Sequence, residues 1–146
     1  MNGAFEPRVE DHRLLTGAGN FQDDEATAGA AWGVFVRSPH AHADIEAIDC
    51  TAAKAADGVF AVVTGADVKA LTSSLVVGVK AGIECWPIAV DRVRYAGEPV
   101  AIVVASDRYR AEDALDLIEV RYRPLPVVVD PLAAAARKLR EERDRA

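Results

Sequence analysis

The chain has 146 residues and a formal net charge of −6; 51% of its residues are hydrophobic and 27% are charged. A chain of this size buries roughly 68–70% of its unfolded surface, so it can build a core, and its composition excludes global disorder. The acidic balance argues against nucleic acid as the main partner, because phosphate binding needs a basic surface.

Residues 1–29 are polar and Gly-rich, and they are expected to form an extended N-terminal arm. Ala31–Val36 is apolar on both faces, as in a strand buried on both sides, and Arg37-Ser38-Pro39 ends it. Ala43–Asp49 alternates as a second strand, with Ala43, Ile45 and Ala47 facing one way and Asp44, Glu46 and Ile48 the other. Thr51–Ala56 is an Ala-rich helical turn closed by Asp57-Gly58, where Gly58 suits a left-handed conformation. Val59–Val63 follows as another buried strand. Thr64 and Asp67 have the spacing of a capping box, so a short helix should run to about Leu71. Residues 72–90, with Gly78, Gly82 and Pro87, read as a long connection.

Val93 and Tyr95 alternate with Arg92 and Arg94 as on a half-buried strand. Ala96-Gly97-Glu98 turns the chain into the core strand Val100–Ala105, and the short connection implies that this strand is antiparallel to 92–95. Ser106 or Asp107 should cap the next helix, whose stripe is Ala111, Ala114, Leu115 and Ile118. Ile118, Val120 and Tyr122 then alternate with Glu119, Arg121 and Arg123, so a strand follows. Pro124 and Pro126 push Leu125–Val129 to an edge or a covering arm. The tail from Pro131 reads as a solvated helix with few apolar anchors. The order β-β-α-β-α, long loop, β-β-α-β gives an α+β domain of two layers with a mixed sheet. The expected segments are an arm at 1–29, a domain at 30–130 and a charged helical tail at 131–146.

The N-terminus lacks the apolar region of a secretory signal, and no run approaches the roughly 18–20 apolar residues of a membrane helix. Cys50 and Cys85 form neither a disulfide framework nor a zinc pattern. A cytoplasmic protein with incidental thiols is the simplest expectation, with no membrane partner.

The candidate chemistry is incomplete at every point. His40 and His42 lie on one side of an extended chain, but a metal would need a third ligand and His12 is distant in sequence. Gly17-Ala18-Gly19 has no preceding strand to make a phosphate cradle. Asp23 and Asp24 read as a solvated turn, and Glu98 as a turn carboxylate bonding nearby amides. Cys85-Trp86-Pro87 has no base beside the thiol. Trp32 and Trp86 read as core or interface residues. No catalytic, cofactor-binding or metal-ligating residue is assigned, so a self-sufficient small enzyme is the weakest reading.

Several segments follow one another in an order with a precedent. They are Arg8-Val9-Glu10-Asp11 with Leu14-Leu15-Thr16-Gly17, Asp23-Asp24, VRSPHAHADIEAID, DGVFAVVTGADV, and DRVRYAGEPVAIVVASDRYRAEDALDLIEVRYRPLPVVVDP. Together they resemble, over about residues 8–133, the a/b hammerhead domain that opens the molybdopterin-binding large subunit of the xanthine dehydrogenase, aldehyde oxidase and carbon monoxide dehydrogenase family. The resemblance implies a scaffold within an oxidoreductase subunit that hydroxylates aldehydes, purines, N-heterocycles or carbon monoxide with oxygen derived from water.

In that family the molybdenum–molybdopterin cofactor and the catalytic glutamate come from later parts of the subunit, and 2Fe-2S and FAD from companion subunits. The implied partners are therefore the remaining molybdopterin-binding domains or subunit and the iron–sulfur and flavin subunits. The resemblance places no cofactor in these 146 residues. It makes RSPHAHADI and YAGEPVA conformational signatures, with Gly97 and Pro99 fixing a turn and Gly58 and Gly65 acting likewise around the central strand. A truncated product, a separately encoded piece of a split enzyme and a stand-alone binding or assembly module remain three alternatives.

Overall fold

The structure, a computed structural model, describes residues 8–25, 27–75 and 84–144. Gly78 and Gly82 lie outside the described residues. Backbone contacts divide the chain into two units, Met1–Ala30 and Ala31–Ala146. In the first, a five-residue helix α1 (Asp11–Leu15) precedes a 3-10 turn at Gln22–Asp24, so the arm is not extended throughout. The Asp11 carboxylate accepts the Arg8 amide at 3.0 Å, which favours that first turn. No residue of α1 is buried.

The second unit contains β1 (Trp32–Arg37), β2 (Ala43–Asp49), α2 (Thr51–Ala55), β3 (Val59–Thr64), α3 (Gly65–Leu71), β4 (Arg92–Val93), β5 (Pro99–Ala105), α4 (Arg108–Leu115), β6 (Glu119–Pro124) and α5 (Pro131–Asp144). The α+β class and the element order expected from sequence are the ones found. Among the described residues the expected mixed sheet is not found: every strand pairing is antiparallel, in two three-stranded sheets, β1-β5-β3 and β4-β2-β6. The cap assignments hold. The Asp107 carboxylate accepts the Arg110 amide at 3.0 Å to open α4. Asp67 accepts both the Thr64 amide and hydroxyl, at 2.8 and 2.7 Å, to open α3.

Three further expectations are corrected. First, 92–95 is not the partner of β5. The strand β4 is only Arg92–Val93, and it pairs with β2 in the other sheet, while β5 pairs with β1 and β3. The Glu98 carboxylate takes the Arg94 amide, so the chain turns away from ladder pairing directly after Val93. Second, β1 and β3 are not buried on both faces. Each is a sheet edge, and Phe35 and Phe60 are 40% and 65% exposed. In this sheet only β5, between them, is a central strand. Third, Ile48 does not share the outward face of Asp44. A bulge at Glu46, between the Ile45–Tyr122 and Ala47–Arg121 pairs, reverses the alternation and sends Ile48 into the core.

Two clusters make the core. Cys50, Ala53, Val62, Val103 and Ala114 pack beneath α4, with Ile48, Leu115 and Ile118 against them. Ala43, Ala89, Val93 and Val100 form the second, joined by Val36, Ile45, Val120 and Tyr122. Val100 reaches this second cluster because a register shift leaves it unpaired between the Val36–Ala101 and Arg37–Pro99 pairs. Among the described residues the fully buried side chains are small, valine being the largest. At the C-terminal end α5 is a helix as expected, with Leu132 80% exposed. No helix among the described residues is long and apolar enough to cross a membrane.

Candidate functional site

The two signature segments close on each other. Ser38, at the end of β1, donates its amide to the Glu98 carbonyl at 2.9 Å and receives the Gly97 amide at 2.8 Å. Arg37 adds a guanidinium bond to the Gly97 carbonyl at 2.9 Å. This geometry needs Gly97 at φ +88°, a conformation that costs other residues about 1–2 kcal/mol. The Ser38 hydroxyl, itself buried, accepts the His40 amide at 3.0 Å and donates to the His40 carbonyl at 3.1 Å. Tyr122 packs beside it, and burial pushes its phenol up against an opposing pull from Ser38.

Each histidine of the pair has its own partner. The His40 ring stands edge-on to Tyr122 with centroids 5.0 Å apart. His42 Nδ1 meets the Pro126 carbonyl oxygen at 2.8 Å, which fastens the segment after β6 over the start of β2. Among the described residues, no three His, Cys, Asp or Glu side chains gather to hold a metal.

Sequence reading missed the ionic centre of the second sheet. Asp44 lies opposite Arg92 on β4 and Arg123 on β6. Its carboxylate accepts Arg92 Nε at 2.5 Å and also binds Arg123, which reaches Glu46 at 3.5 Å. Hydrogen bonding from Arg92 holds the Asp44 carboxyl below the usual range, helped by the charges of Arg92, Arg123 and His42. The alternating arginines were visible in sequence, but only the strand register shows that one aspartate serves both.

The Asp24 carboxylate accepts the Phe21 amide at 2.9 Å as a turn cap. Glu98 is a buried turn carboxylate on the Arg94 amide, as expected. Cys50 is buried, and that burial raises its thiol above the ordinary value. Cys85 is half-buried and bridges by backbone to Leu75. Trp86 donates to the Glu84 carboxylate at 3.3 Å, and Trp32 is half exposed rather than part of the core.

The surface carries a stronger signal. With α4 packed on the Val103 and Val62 side of the first sheet, the opposite side holds Phe35, Ile102 and Val63 in one cross-strand row. Ile102 and Val63 are only half-buried, and Arg37 lies 5.6 Å from the Phe35 ring centroid. This side therefore leaves Phe35 40% exposed beside two half-buried aliphatic side chains, a small apolar patch in partial contact with water.

Known proteins share this chain's pattern. Residues 16–126 match the family described as the aldehyde oxidase and xanthine dehydrogenase a/b hammerhead domain. The carbon monoxide dehydrogenase large chain of Afipia carboxidovorans is 47% identical over 132 residues, covering 90% of this chain and 16% of the relative. The xanthine dehydrogenase molybdenum-binding subunit of Escherichia coli O157:H7 is 34% identical, covering 88% of this chain and 18% of the relative. A crystal structure of the Cu,Mo-CO dehydrogenase superposes with a TM-score of 0.75 at 48% identity, over 88% of this chain and 16% of that one. The chain therefore spans about one sixth of the length of the carbon monoxide dehydrogenase large chains it matches. Its described residues do not fit a molybdenum–pterin group. No buried side-chain nitrogen or oxygen among them lacks a partner, and no set of metal donors converges.

Proposed function

This chain belongs to the a/b hammerhead domain family of the aldehyde oxidases and xanthine dehydrogenases, and on that premise we propose that it is the scaffold segment of a molybdenum hydroxylase large subunit. Its work is to present a docking face to the polypeptide that holds the cofactor. The chemistry of the whole enzyme is oxidative hydroxylation of an aldehyde, a purine or other N-heterocycle, or carbon monoxide. The molybdopterin resides in the remaining large-subunit domains, and electrons leave through iron–sulfur and flavin subunits. No side chain of the hammerhead region (residues 30–130), the preceding arm (1–29) or the helical tail (131–146) is assigned to catalysis. The two free thiols, Cys50 and Cys85, support a cytoplasmic location.

One observation carries this reading: the Phe35, Ile102 and Val63 row stays open in a chain whose relatives are several times longer. An independent module would be expected to present a polar surface there. The test is purification from the native host, identification of bound chains by mass and assay of molybdenum in the complex. Companion chains with molybdenum are expected, whether the cofactor-holding domains lie on the same polypeptide or a separate one, and Phe35→Asp with Ile102→Asp should lower the molybdenum content of the complex. Purification of the chain alone, free of molybdenum and partners, would overturn the proposal.

A further inference from the structure

The segment after β6 is held at both ends and unpaired in the middle. Leu125 donates its amide to the His42 carbonyl at 2.9 Å, and the Pro126 carbonyl binds the His42 ring. At the other end Asp130 caps α5, its carboxylate accepting the Leu132 and Ala133 amides at 2.8 and 3.1 Å. Between these anchors Val127, Val128 and Val129 are 53%, 53% and 87% exposed. Among the described residues none of their amides or carbonyls has a protein partner. These three β-branched residues have no secondary structure of their own, and their unpartnered backbone groups and fixed ends let an added strand pair with them. Pro124, Pro126 and Pro131 limit any pairing to this short stretch.

The groove along this stretch has about 620 Å³ of space, with Arg92, Arg94, Tyr95 and His42 lining its other side. No carboxylate lines it, although the chain as a whole carries a charge of −6. Arg94 spends one guanidinium donor on the Arg92 carbonyl at 3.1 Å, and four remain. Arg92 is partly engaged by Asp44, so Arg94 supplies most of the available positive charge.

We propose that Val127–Val129 accepts an extended segment of a partner polypeptide as an added β-strand, with an Asp or Glu of that segment seated on Arg94. Backbone pairing supplies affinity, and the arginine selects the sign of the charge. The inference does not depend on which reaction the longer relatives catalyse.

The full 146-residue chain is titrated with a labelled, blocked octapeptide of alternating valine and glutamate, followed by fluorescence anisotropy and amide hydrogen exchange. Saturable binding is expected, with new protection at Val127–Val129. A lysine-for-glutamate peptide should bind at least tenfold more weakly, and so should a peptide N-methylated at alternate amides. Arg94→Glu should invert the preference between the two charges. Because inversion requires a gain as well as a loss, a misfolded variant cannot produce it. The proposal is overturned by absent binding, equal binding of the glutamate and lysine peptides, tolerance of N-methylation, or unprotected valine amides. It is equally overturned by a dimer of the chain that Val128→Pro dissolves, which would give this stretch to a second copy.

Discussion

Gly65→Ala separates local preference from tertiary packing because the two demand opposite signs. Gly65 is the first residue of α3, and its φ is not positive, so backbone strain does not require glycine there. Helix propensity alone makes alanine better by about 1 kcal/mol. A Cβ at this position, however, would overlap the Ala89 carbonyl and come within 2.8 Å of Val90 Cα. Ala89 cannot retreat freely. It is buried in the second core cluster, and its amide donates to the Pro99 carbonyl at 2.8 Å. Displacing it leaves that buried pair unsatisfied, at about 1–3 kcal/mol. It also loosens the packing against Val93 and Val100, for about 1–2 kcal/mol more, on the scale of a deleted methyl group. The net expectation is a loss of about 1–4 kcal/mol, a fall in Tm of roughly 3–15 °C for a domain of this length. Urea denaturation with a shared m-value reads the difference directly. A variant as stable as the parent, or more stable, would refute the claim that this contact outweighs helix propensity.

The other predictions concern the Gly97 turn, the ionic centre and the thiols. Gly97→Ala should cost about 1–2 kcal/mol in the same denaturation assay, because nothing lies within 4 Å of a Cβ there and only the φ of +88° opposes it. Asp44 has a lowered carboxyl, so its contribution is present above the unfolded-state value and is lost as pH falls through the folded one. Asp44→Asn should therefore flatten the acid limb of a stability–pH curve below the ordinary carboxylate value and weaken the protein at neutral pH. The remaining acid sensitivity should come from Asp49, Asp67 and Asp107, each lowered by hydrogen bonds at a helix start. A thiol reagent should label Cys85 in the folded protein and reach Cys50 only on unfolding, since burial both shields Cys50 and raises its thiol. Mass spectrometry of the two peptides distinguishes them, and rapid labelling of native Cys50 would contradict the packing.

What could be read in one dimension was local. The caps at Asp67 and Asp107, the α4 stripe, the alternation in β6 and the turn at Gly97 depend on neighbours a few residues away, so their spacing announced them. The family resemblance likewise rested on the order of such segments. Partner choice was not legible. Only the tertiary structure decided that β5 lies between β1 and β3, that β4 joins the other sheet, and that a bulge at Glu46 sends Ile48 inward. The same holds for Asp44 between two arginines and for the unpaired valines held by His42 and Asp130. Apolar runs at 31–36 and 59–63 looked buried because hydrophobicity records that a surface avoids water. It does not record whether the covering atoms belong to this chain or to another.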